Sequence, residues 1–385
     1  MNQVRVLALQ NGTELLGHEK SHVLIYTILR KLGFPLFVLS NGRFPRNNVN
    51  KALESLGISY KTVPFAAQLS LAWIYANPLI VLDYVISILR CNMALILTIM
   101  KFRPTHIFLG NINCYAYFLP SILLARVKII YRFGDAPPSE SFFQMTIWKM
   151  IVKHSYKIIA NSRYVKERLV FHNAQSSKIT VIYNTSLANI YSHGDSSCAK
   201  SSVFPPYRIL YVGSIAEHKG VHLLVSSFWE AFGGSREFIL DIVGSSKWSS
   251  EYLALLKNYV EKKDLVDLVN FYSFSDSISS FYLRSTVHVC PSLWEEPLSN
   301  TVIEAKMHAL ASIVFPSGGL VEIINHKVNG YICENKTSGA LAKALLWACG
   351  DAAAIKKAGQ AALLDYNNSF GFERFVNSYF DIFNL

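Results

Sequence analysis

Two glutamates, Glu296 and Glu304, stand eight residues apart on either side of a predicted helix start. The apolar run 287–290 predicts a strand, Pro291 ends it, and a helix is expected to open near Leu298. The free amides and positive dipole end of such a helix favour a phosphate. Carboxylates do not bind phosphate charge, so each glutamate is expected to accept hydrogen bonds from hydroxyl groups beside it. A nucleotide sugar has this layout, with ribose hydroxyls at one end of a diphosphate and sugar hydroxyls at the other.

This segment resembles the Glu-x7-Glu signature of the retaining glycosyltransferases of family 4, which have the GT-B fold. The interval from Glu304 to the run Gly318-Gly319-Leu320-Val321-Glu322 keeps the spacing of that family as well. The alternative is that Glu304 is a solvated helix residue and Glu296 a loop acid. The resemblance covers nearly the whole chain and is strongest over residues 207–334.

The length and composition suit two α/β domains. A chain of 385 residues exceeds one ordinary core, and 51% hydrophobic against 16% charged residues favours large buried cores over disorder. Strands that alternate with helical patterns indicate parallel, doubly wound sheets, and the resemblance implies two Rossmann-like domains facing across a cleft. The predicted parts are an acceptor-binding domain over 1–190, a linker over 191–206, a nucleotide-sugar-binding domain over 207–365, and a helical segment over 366–385 that packs back on the first domain.

Most of the predicted donor site comes from the second half of the chain. Gly213 follows a strand and lets the backbone approach a ligand, and Lys219 brings a positive charge before the next helix. The resembling family has an arginine directly after this glycine, where this chain has Ser214. The resemblance assigns the donor site to Gly17, Gly213, Ser214, Lys219, Gly244, Tyr272, Glu296, Pro297, Leu298, Ser299, Asn300 and Glu304.

The first half of the chain supplies the acceptor-side candidates. The segment 11–19 follows the first strand, where open α/β sheets bind ligands, so His18 and Glu19 are candidates and a plain loop is the alternative. Asp135 follows the strand 128–133 and precedes two prolines, which suits a rigid site loop; a turn-capping acid is the alternative. The family has a histidine just before this acid, where this chain has Gly134. The expected catalytic residues are Asp135, Lys219 and Glu296.

No metal or other cofactor is expected. The six cysteines form no CxxC pair and lie near no pair of histidines, so neither a zinc site nor a disulfide framework is predicted. The resemblance implies that Lys219 and the helix N-terminus supply the positive charge that a metal would bring. It also implies that the leaving phosphate oxygen takes the acceptor proton on the same face of the sugar.

The excess positive charge lies entirely in the first half. Residues 1–200 hold 22 Lys and Arg against 8 Asp and Glu, a net +14, and residues 201–385 hold 15 against 18, a net −3. The basic residues accompany no recognisable nucleic-acid motif, so an anionic membrane surface or an anionic acceptor is the better partner. The N-terminal apolar run is too short for a signal peptide.

Residues 62–125 are the most apolar part of the chain. The stretch 62–82 is uncharged, but Pro64, Asn77 and Pro78 interrupt it. Three interpretations stay open: core helices, a helix partly inserted in the membrane interface, and a spanning segment. The uncharged run 104–125 divides at 110–113 into a strand and a helix, which is typical of a soluble core.

The leading functional hypothesis is a retaining glycosyltransferase. It would move a sugar from a nucleoside diphosphate sugar to an acceptor hydroxyl in cell-surface polysaccharide or lipid-linked oligosaccharide assembly. The expected location is cytoplasmic and peripheral on the inner membrane face. The alternatives are a nucleotide-sugar epimerase of GT-B fold and a non-catalytic nucleotide-sugar-binding protein.

Overall fold

The computed structural model of the chain describes residues 3–15, 17–44, 47–65, 78–134, 142–186, 205–246, 249–273 and 278–384. The chain divides into two units, an N-terminal unit of Met1–Ile182 with Phe375–Leu385 and a C-terminal unit of Tyr183–Arg374. Each unit is built on one parallel sheet with helices, which confirms the predicted α/β class.

The N-terminal unit has a seven-stranded sheet in the order β3-β2-β1-β4-β5-β6-β7. Its strands are β1 Val6–Gln10, β2 Leu36–Asn41, β3 Tyr60–Val63, β4 His106–Leu109, β5 Lys128–Phe133, β6 Lys157–Ala160 and β7 Ile179–Val181. Its helices are α1 Gly17–Lys31, α2 Asn48–Ser55, α3 Pro78–Phe102, α4 Ile112–Leu124, α5 Phe142–His154 and α6 Arg163–Phe171, and the last helix of the chain, Phe372–Asn384, joins this unit from Phe375 onward.

The C-terminal unit has a six-stranded sheet in the order β10-β9-β8-β11-β12-β13. Its strands are β8 Tyr207–Val212, β9 Phe238–Val243, β10 Val269–Tyr272, β11 Val287–Cys290, β12 Ser312–Val314 and β13 Gly330–Ile332. Its helices are α7 Val221–Phe232, α8 Ser250–Lys262, α9 Ile278–Arg284, α10 Asn300–Met307, α11 Leu320–Ile323, α12 Ser338–Gly350 and α13 Ala352–Asp365, and the final helix of the chain is α14, Phe372–Asn384.

The sheets explain why the strand sequences read as continuous apolar runs. Helices cover parallel strands on both faces, so β1 and β11 are buried at every residue. The strand order reverses between β1 and β4 in one sheet and between β8 and β11 in the other. Ligands of open α/β sheets bind at the carboxyl ends of the strands beside such a reversal. The sequence around these four strand ends therefore defines one candidate site in each unit.

The boundary between the units falls earlier than the predicted end of the first domain at residue 190. The Tyr183 hydroxyl donates to Glu322 Oε2 at 3.1 Å, and Asn184 Nδ2 donates to Asn300 Oδ1 at 2.8 Å. These bonds attach the chain after Ile182 to the C-terminal unit. Most of the predicted linker lies outside the described residues.

The end of the chain belongs to the N-terminal unit. Phe380 and Phe383 of α14 lie with ring centroids 6.1 Å from that of Phe34, and Phe383 meets the His106 ring at 5.6 Å. The amphipathic pattern of α14 therefore buries aromatic side chains against β4 and the loop before β2. The N-terminal unit includes the chain from Phe375 onward, whereas the segment predicted to pack back on the first domain began at residue 366.

The apolar region contains one long helix, α3. Its part Val81–Phe102 is long and apolar enough to cross a membrane by length and composition, and 28% of its most apolar window is buried. Residues 66–77 of the predicted apolar stretch lie outside the described residues. The five described cysteines are free and buried, and Cys198 lies outside the described residues.

Candidate active site

The centre of the C-terminal site is an ion pair between Lys219 Nζ and Glu296 Oε1. Lys219 ends a short 3-10 turn, Glu217–Lys219, after β8, and Glu296 lies in the loop after β11. Ser292 Oγ donates a second bond to the same carboxylate oxygen at 2.9 Å. Glu296 is only 8% exposed, so the lysine and the serine together stabilise its charge.

Close backbone packing brings these two loops together. The Leu293 amide donates to the His218 carbonyl at 2.9 Å. Gly220 has φ +70°, and an added Cβ would lie 2.0 Å from the Pro291 carbonyl oxygen. Only glycine permits this approach, so the sequence Lys219-Gly220 holds the lysine beside the loop of Glu296.

Glu304 lies on the second turn of α10, whose N-terminus follows Glu296. Ser299 is the N-cap and its hydroxyl accepts from the Val302 amide, so the helix begins at Asn300 rather than near Leu298. The amides ahead of Val302 have no acceptor within the helix and are available to an anion. Glu304 Oε2 accepts from the Tyr282 hydroxyl at 3.0 Å.

Tyr282 was not predicted from the sequence. Burial raises the pKa of its hydroxyl well above the ordinary value, with the Glu304 carboxylate as the next cause, so the phenol stays protonated and remains a donor. Its ring stacks on His308 with centroids 5.1 Å apart. No local signal marks Tyr282, because its contact depends on the packing of α9 against α10.

Two of the predicted glycines, Gly213 and Gly244, lie against each other in the C-terminal site. An added Cβ at Gly244 would lie 1.7 Å from the Gly213 carbonyl oxygen, so the ends of β8 and β9 meet without side chains. Ser214 is exposed, and its carbonyl accepts from the Tyr211 hydroxyl at 2.7 Å. The rings of Tyr272, at the end of β10, and Phe281 of α9 have centroids 4.9 Å apart.

The second half of the motif supports the loop of Glu296. The Gly319 amide donates to the Glu296 carbonyl at 2.7 Å, and an added Cβ there would lie 2.2 Å from the Pro297 carbonyl oxygen. Gly318 has φ +49° and its amide donates to Glu295 Oε2 at 2.6 Å. The spacing between Glu304 and these glycines therefore serves to fold the loop over residues 295–297.

In the N-terminal unit, Gly17, His18 and Glu19 lie in the first turn of α1 rather than in the predicted loop. Glu19 in the first turn interacts favourably with the positive end of the helix dipole. This interaction favours a helix that starts at Gly17, earlier than the apolar pattern indicated. His18 lies against His22, with ring centroids 4.3 Å apart. His22 Nδ1 and the Tyr26 hydroxyl both lie within hydrogen-bond distance of Gln10 Oε1, at 3.1 and 3.2 Å.

The described part of this site contains neutral histidines beside the buried cation Arg132. Burial, and then the charge of Arg132, lower the pKa of His18 to about 4. Burial is also the main cause that holds the pKa of His22 well below its ordinary value. Arg132 is 1% exposed and lies in β5. A charged residue inside an apolar parallel strand was a sequence signal for this site, since a buried cation needs a stabilising environment.

Asp135 lies outside the described residues. Its neighbour Gly134 is described, and an added Cβ at Gly134 would lie 3.3 Å from His18 Nδ1. The end of β5 and the first turn of α1 therefore meet at this glycine. Among the described residues, no group of three or more His, Cys, Asp and Glu side chains is arranged to hold a metal ion.

Comparisons with known proteins agree with this geometry. A family model for glycosyl transferases group 1 matches residues 200–363. Spore coat protein SA of Bacillus subtilis is 33% identical over 132 residues, which cover 32% of this chain and 34% of that protein. The putative glycosyltransferase YtcC of Bacillus subtilis is 26% identical over 264 residues, which cover 64% of this chain and 63% of that protein. The matches thus span about a third and just under two thirds of these curated relatives.

Solved structures extend the likeness to the whole fold. The Anabaena protein Alr3699/HepE, crystallised with UDP, superposes with a TM-score of 0.81 over 99% of this chain and 100% of that chain, at 17% identity. The same Anabaena protein has also been crystallised with UDP-glucose. Residues 200–363 therefore match a glycosyl transferases group 1 domain, and the two parallel-sheet, Rossmann-like units match those of GT-B glycosyltransferase structures.

Proposed function

We propose that the protein is a glycosyltransferase that moves a sugar from a nucleoside diphosphate sugar to an acceptor hydroxyl with retention at the anomeric carbon. The observation that carries the proposal is the placement of Glu296, Lys219 and Glu304 around the N-terminus of α10. A cation and free helix amides suit a diphosphate, and carboxylates on either side of it suit hydroxyl groups.

The two glutamates take opposite ends of the donor in this proposal. Glu304 is bonded to Tyr282, and the neighbouring Phe281 packs on Tyr272, which the resemblance places beside the nucleobase. Glu304 is therefore assigned to the ribose hydroxyls. Glu296 is bonded to Lys219 and is assigned to hydroxyls of the transferred sugar.

Lys219 and the amides of α10 stabilise the leaving diphosphate. Negative charge grows on the phosphate oxygens as the glycosidic bond breaks, so donors that are already in place favour the transition state over the ground state. Ser214 contributes no cation where the resembling family has arginine. Lys219 and the backbone amides therefore stabilise the charge on the diphosphate. The reaction proceeds without a metal, and the leaving phosphate oxygen accepts the proton of the acceptor hydroxyl.

A uridine nucleotide is the proposed donor base. The structures of the Anabaena protein with UDP and with UDP-glucose support this choice, because the fold is shared over nearly the full length of both chains. Acceptors in cell-surface polysaccharide or lipid-linked oligosaccharide assembly suit the basic first half of the chain.

The resembling family has a histidine at the position of Gly134. In the N-terminal unit, His18 takes over the role of that histidine. Its Nδ1 lies beside the space that a side chain at residue 134 would fill, and its low pKa leaves the imidazole neutral near pH 7. A neutral imidazole both donates and accepts hydrogen bonds, which suits sugar hydroxyls. Glu19 and Asp135 are the proposed acceptor-side carboxylates.

A donor screen followed by product analysis tests the proposal. Thermal shift with UDP-, GDP-, ADP- and dTDP-sugars should single out the uridine compounds, and the stabilised donor should be consumed with an acceptor to give a retained linkage. Conversion of the sugar without any acceptor would instead identify an epimerase. Stabilisation without hydrolysis or transfer under any condition would identify a non-catalytic binding protein.

A further inference from the structure

Helix α3 has an exposed apolar stripe. Its solvent side carries Leu82, Val85, Leu89, Met93, Leu97 and Met100, which are between 46% and 68% exposed. These positions recur at intervals of three and four residues, so they cover about a third of the helix circumference along its length. A continuous apolar surface of this kind marks an interaction site rather than ordinary scattered exposure.

The opposite side of α3 is fixed to the sheet. Cys91 and Leu95 are fully buried, and Asn92 Nδ2 donates to the Tyr117 carbonyl of α4 at 2.8 Å. Asn92 Oδ1 also accepts from the Ser121 amide at 3.0 Å. A helix held in this way cannot cross a bilayer without breaking the core of the N-terminal unit. Within the described part of the chain, the stripe is left exposed to a partner that approaches from outside.

A basic groove lies at the C-terminal end of the same helix. The groove has a volume of about 420 Å³, and Arg5, Lys61 and Lys101 line it together with Phe37, Leu97 and Phe102. Its lining contains three cations and no carboxylate. The Arg5 guanidinium lies 4.7 Å from the centroid of the Phe102 ring, and Arg5 Nε is buried without a hydrogen bond in the described part of the chain.

The stripe and the groove form one surface, because Leu97 belongs to both. We propose that this surface binds a membrane that contains anionic phospholipid: the stripe enters the interface beside the acyl chains, and the groove takes the phosphate of a headgroup. Amphipathic helices with flanking cations bind such interfaces through apolar burial and electrostatic attraction. The net charge of +14 on residues 1–200 has the matching sign.

The charges favour a membrane over a second copy of the chain. A two-fold dimer centred on the groove would bring Arg5, Lys61 and Lys101 of the two copies close together. Arg90, which is also exposed on α3, would add to that repulsion. Among the described side chains of α3, Asp83 near the start of the helix is the one acid. The groove lies near Arg5, which precedes β1, and therefore at the amino end of the sheet. A membrane bound at the groove would therefore leave the carboxyl end of this sheet, where His18 lies, accessible.

Vesicle sedimentation tests the proposal with two pairs of variants. The wild-type protein should bind vesicles of phosphatidylcholine mixed with phosphatidylglycerol, release them at high salt, and bind pure phosphatidylcholine weakly. Leu89→Glu with Met93→Glu should reduce binding to the level of pure phosphatidylcholine. Lys61→Gln with Lys101→Gln should lower the partition coefficient about fivefold for each lysine, since a basic residue near the surface contributes ~1 kcal/mol.

Matched controls lie in the C-terminal unit. Leu255→Glu with Leu364→Glu changes two leucines of similar exposure, and Lys356→Gln with Lys357→Gln removes two exposed lysines; neither should alter vesicle binding. All variants should keep the wild-type thermal shift with the nucleotide donor, so loss of the proposed catalytic function would be seen separately. The proposal is overturned by association that resists salt and needs detergent, by binding that none of the α3 variants changes, or by a dimer that Leu89→Glu dissociates.

Discussion

The two carboxyl edges of the sheets use opposite electrostatics. The edge of the C-terminal unit carries formal charges in pairs, Lys219 with Glu296 and Lys336 with Glu295. The two lysines are similarly exposed, whereas Glu296 is nearly buried and Glu295 is exposed. In its described part, the edge of the N-terminal unit carries His18 and His22, which burial keeps neutral, beside the buried Arg132 and with Glu19 in the same helix turn as His18.

This difference separates two kinds of chemistry. Paired charges with free helix amides suit a group that gains negative charge during the reaction, such as a leaving diphosphate. Neutral imidazoles suit hydroxyl groups, which they bind without attracting a diphosphate. Under the proposed function, the comparison therefore favours the C-terminal unit for the diphosphate and the N-terminal unit for hydroxyls on the acceptor side.

The largest effect is expected for Lys219→Ala. Removal of a preorganised donor to developing charge should lower kcat by about 10²- to 10³-fold, or ~3–4 kcal/mol, and lower donor affinity less. Lys336→Ala is the matched control, because it breaks the neighbouring pair with Glu295, whose side chain is 52% exposed. Steady-state kinetics on both variants check the assignment, and equal kcat in wild type and Lys219→Ala would refute it.

The neutral histidines should make the N-terminal unit sensitive to acid. Burial lowers the pKa of folded His18 to about 4, and the pKa of an exposed histidine is about 6.5, so protons favour the unfolded state as pH falls below 6.5. Up to about 3 kcal/mol of stability should be lost between pH 6.5 and 4, and it is fully present above that window. Hydrogen exchange of β1 peptides, corrected for the intrinsic rate, should show less of this loss in His18→Gln. Identical pH profiles in the two proteins would contradict the prediction.

Glu304→Ala should weaken donor binding by ~1.5–3 kcal/mol, the range for lost hydrogen bonds to a charged acceptor. Tyr282→Phe keeps the stacked ring and removes only the hydroxyl that orients Glu304, so it should weaken binding less. Calorimetry with the nucleotide alone measures both losses. A larger effect for Tyr282→Phe than for Glu304→Ala would reverse the assigned roles.

The smallest expected change is that of Asp135→Asn. If Asp135 orients a sugar hydroxyl, the variant should bind nucleotide normally and turn over about tenfold more slowly, a loss of ~1.4 kcal/mol. Kinetics and nucleotide affinity must be measured on the same preparation. Wild-type rates in a folded variant would return Asp135 to a turn-capping role.

Much of the C-terminal site could be predicted because its chemistry is consecutive in sequence. Strand β11, Glu296, a helix start and Glu304 follow one another along the chain, so their order and spacing could be read from the sequence, although the helix begins at Asn300 rather than near Leu298. Gly213 could be chosen because a glycine after a strand lets the backbone approach a ligand, whereas Gly244 and Gly318 came only from the family resemblance; all three lie where an added Cβ would meet neighbouring atoms.

The remaining contacts depend on packing between distant segments. The Tyr282 hydroxyl of α9 donates to Glu304 of α10, and Gln10 at the end of β1 lies within hydrogen-bond distance of His22 and Tyr26 in α1. The early start of α1 was missed because Gly17 and His18 are weak helix formers, whereas the tertiary contacts of His18 and His22 override that propensity.

The central claim is that Glu296 and Glu304 hold opposite ends of one nucleotide sugar, and calorimetry with UDP and UDP-glucose tests it most directly. We expect Glu304→Ala to lose the same factor in affinity for both ligands, because both contain the ribose. Glu296→Ala should keep the wild-type affinity for UDP and lose affinity only for UDP-glucose. Parallel losses for the two ligands in Glu296→Ala, or no loss in either variant, would contradict the account.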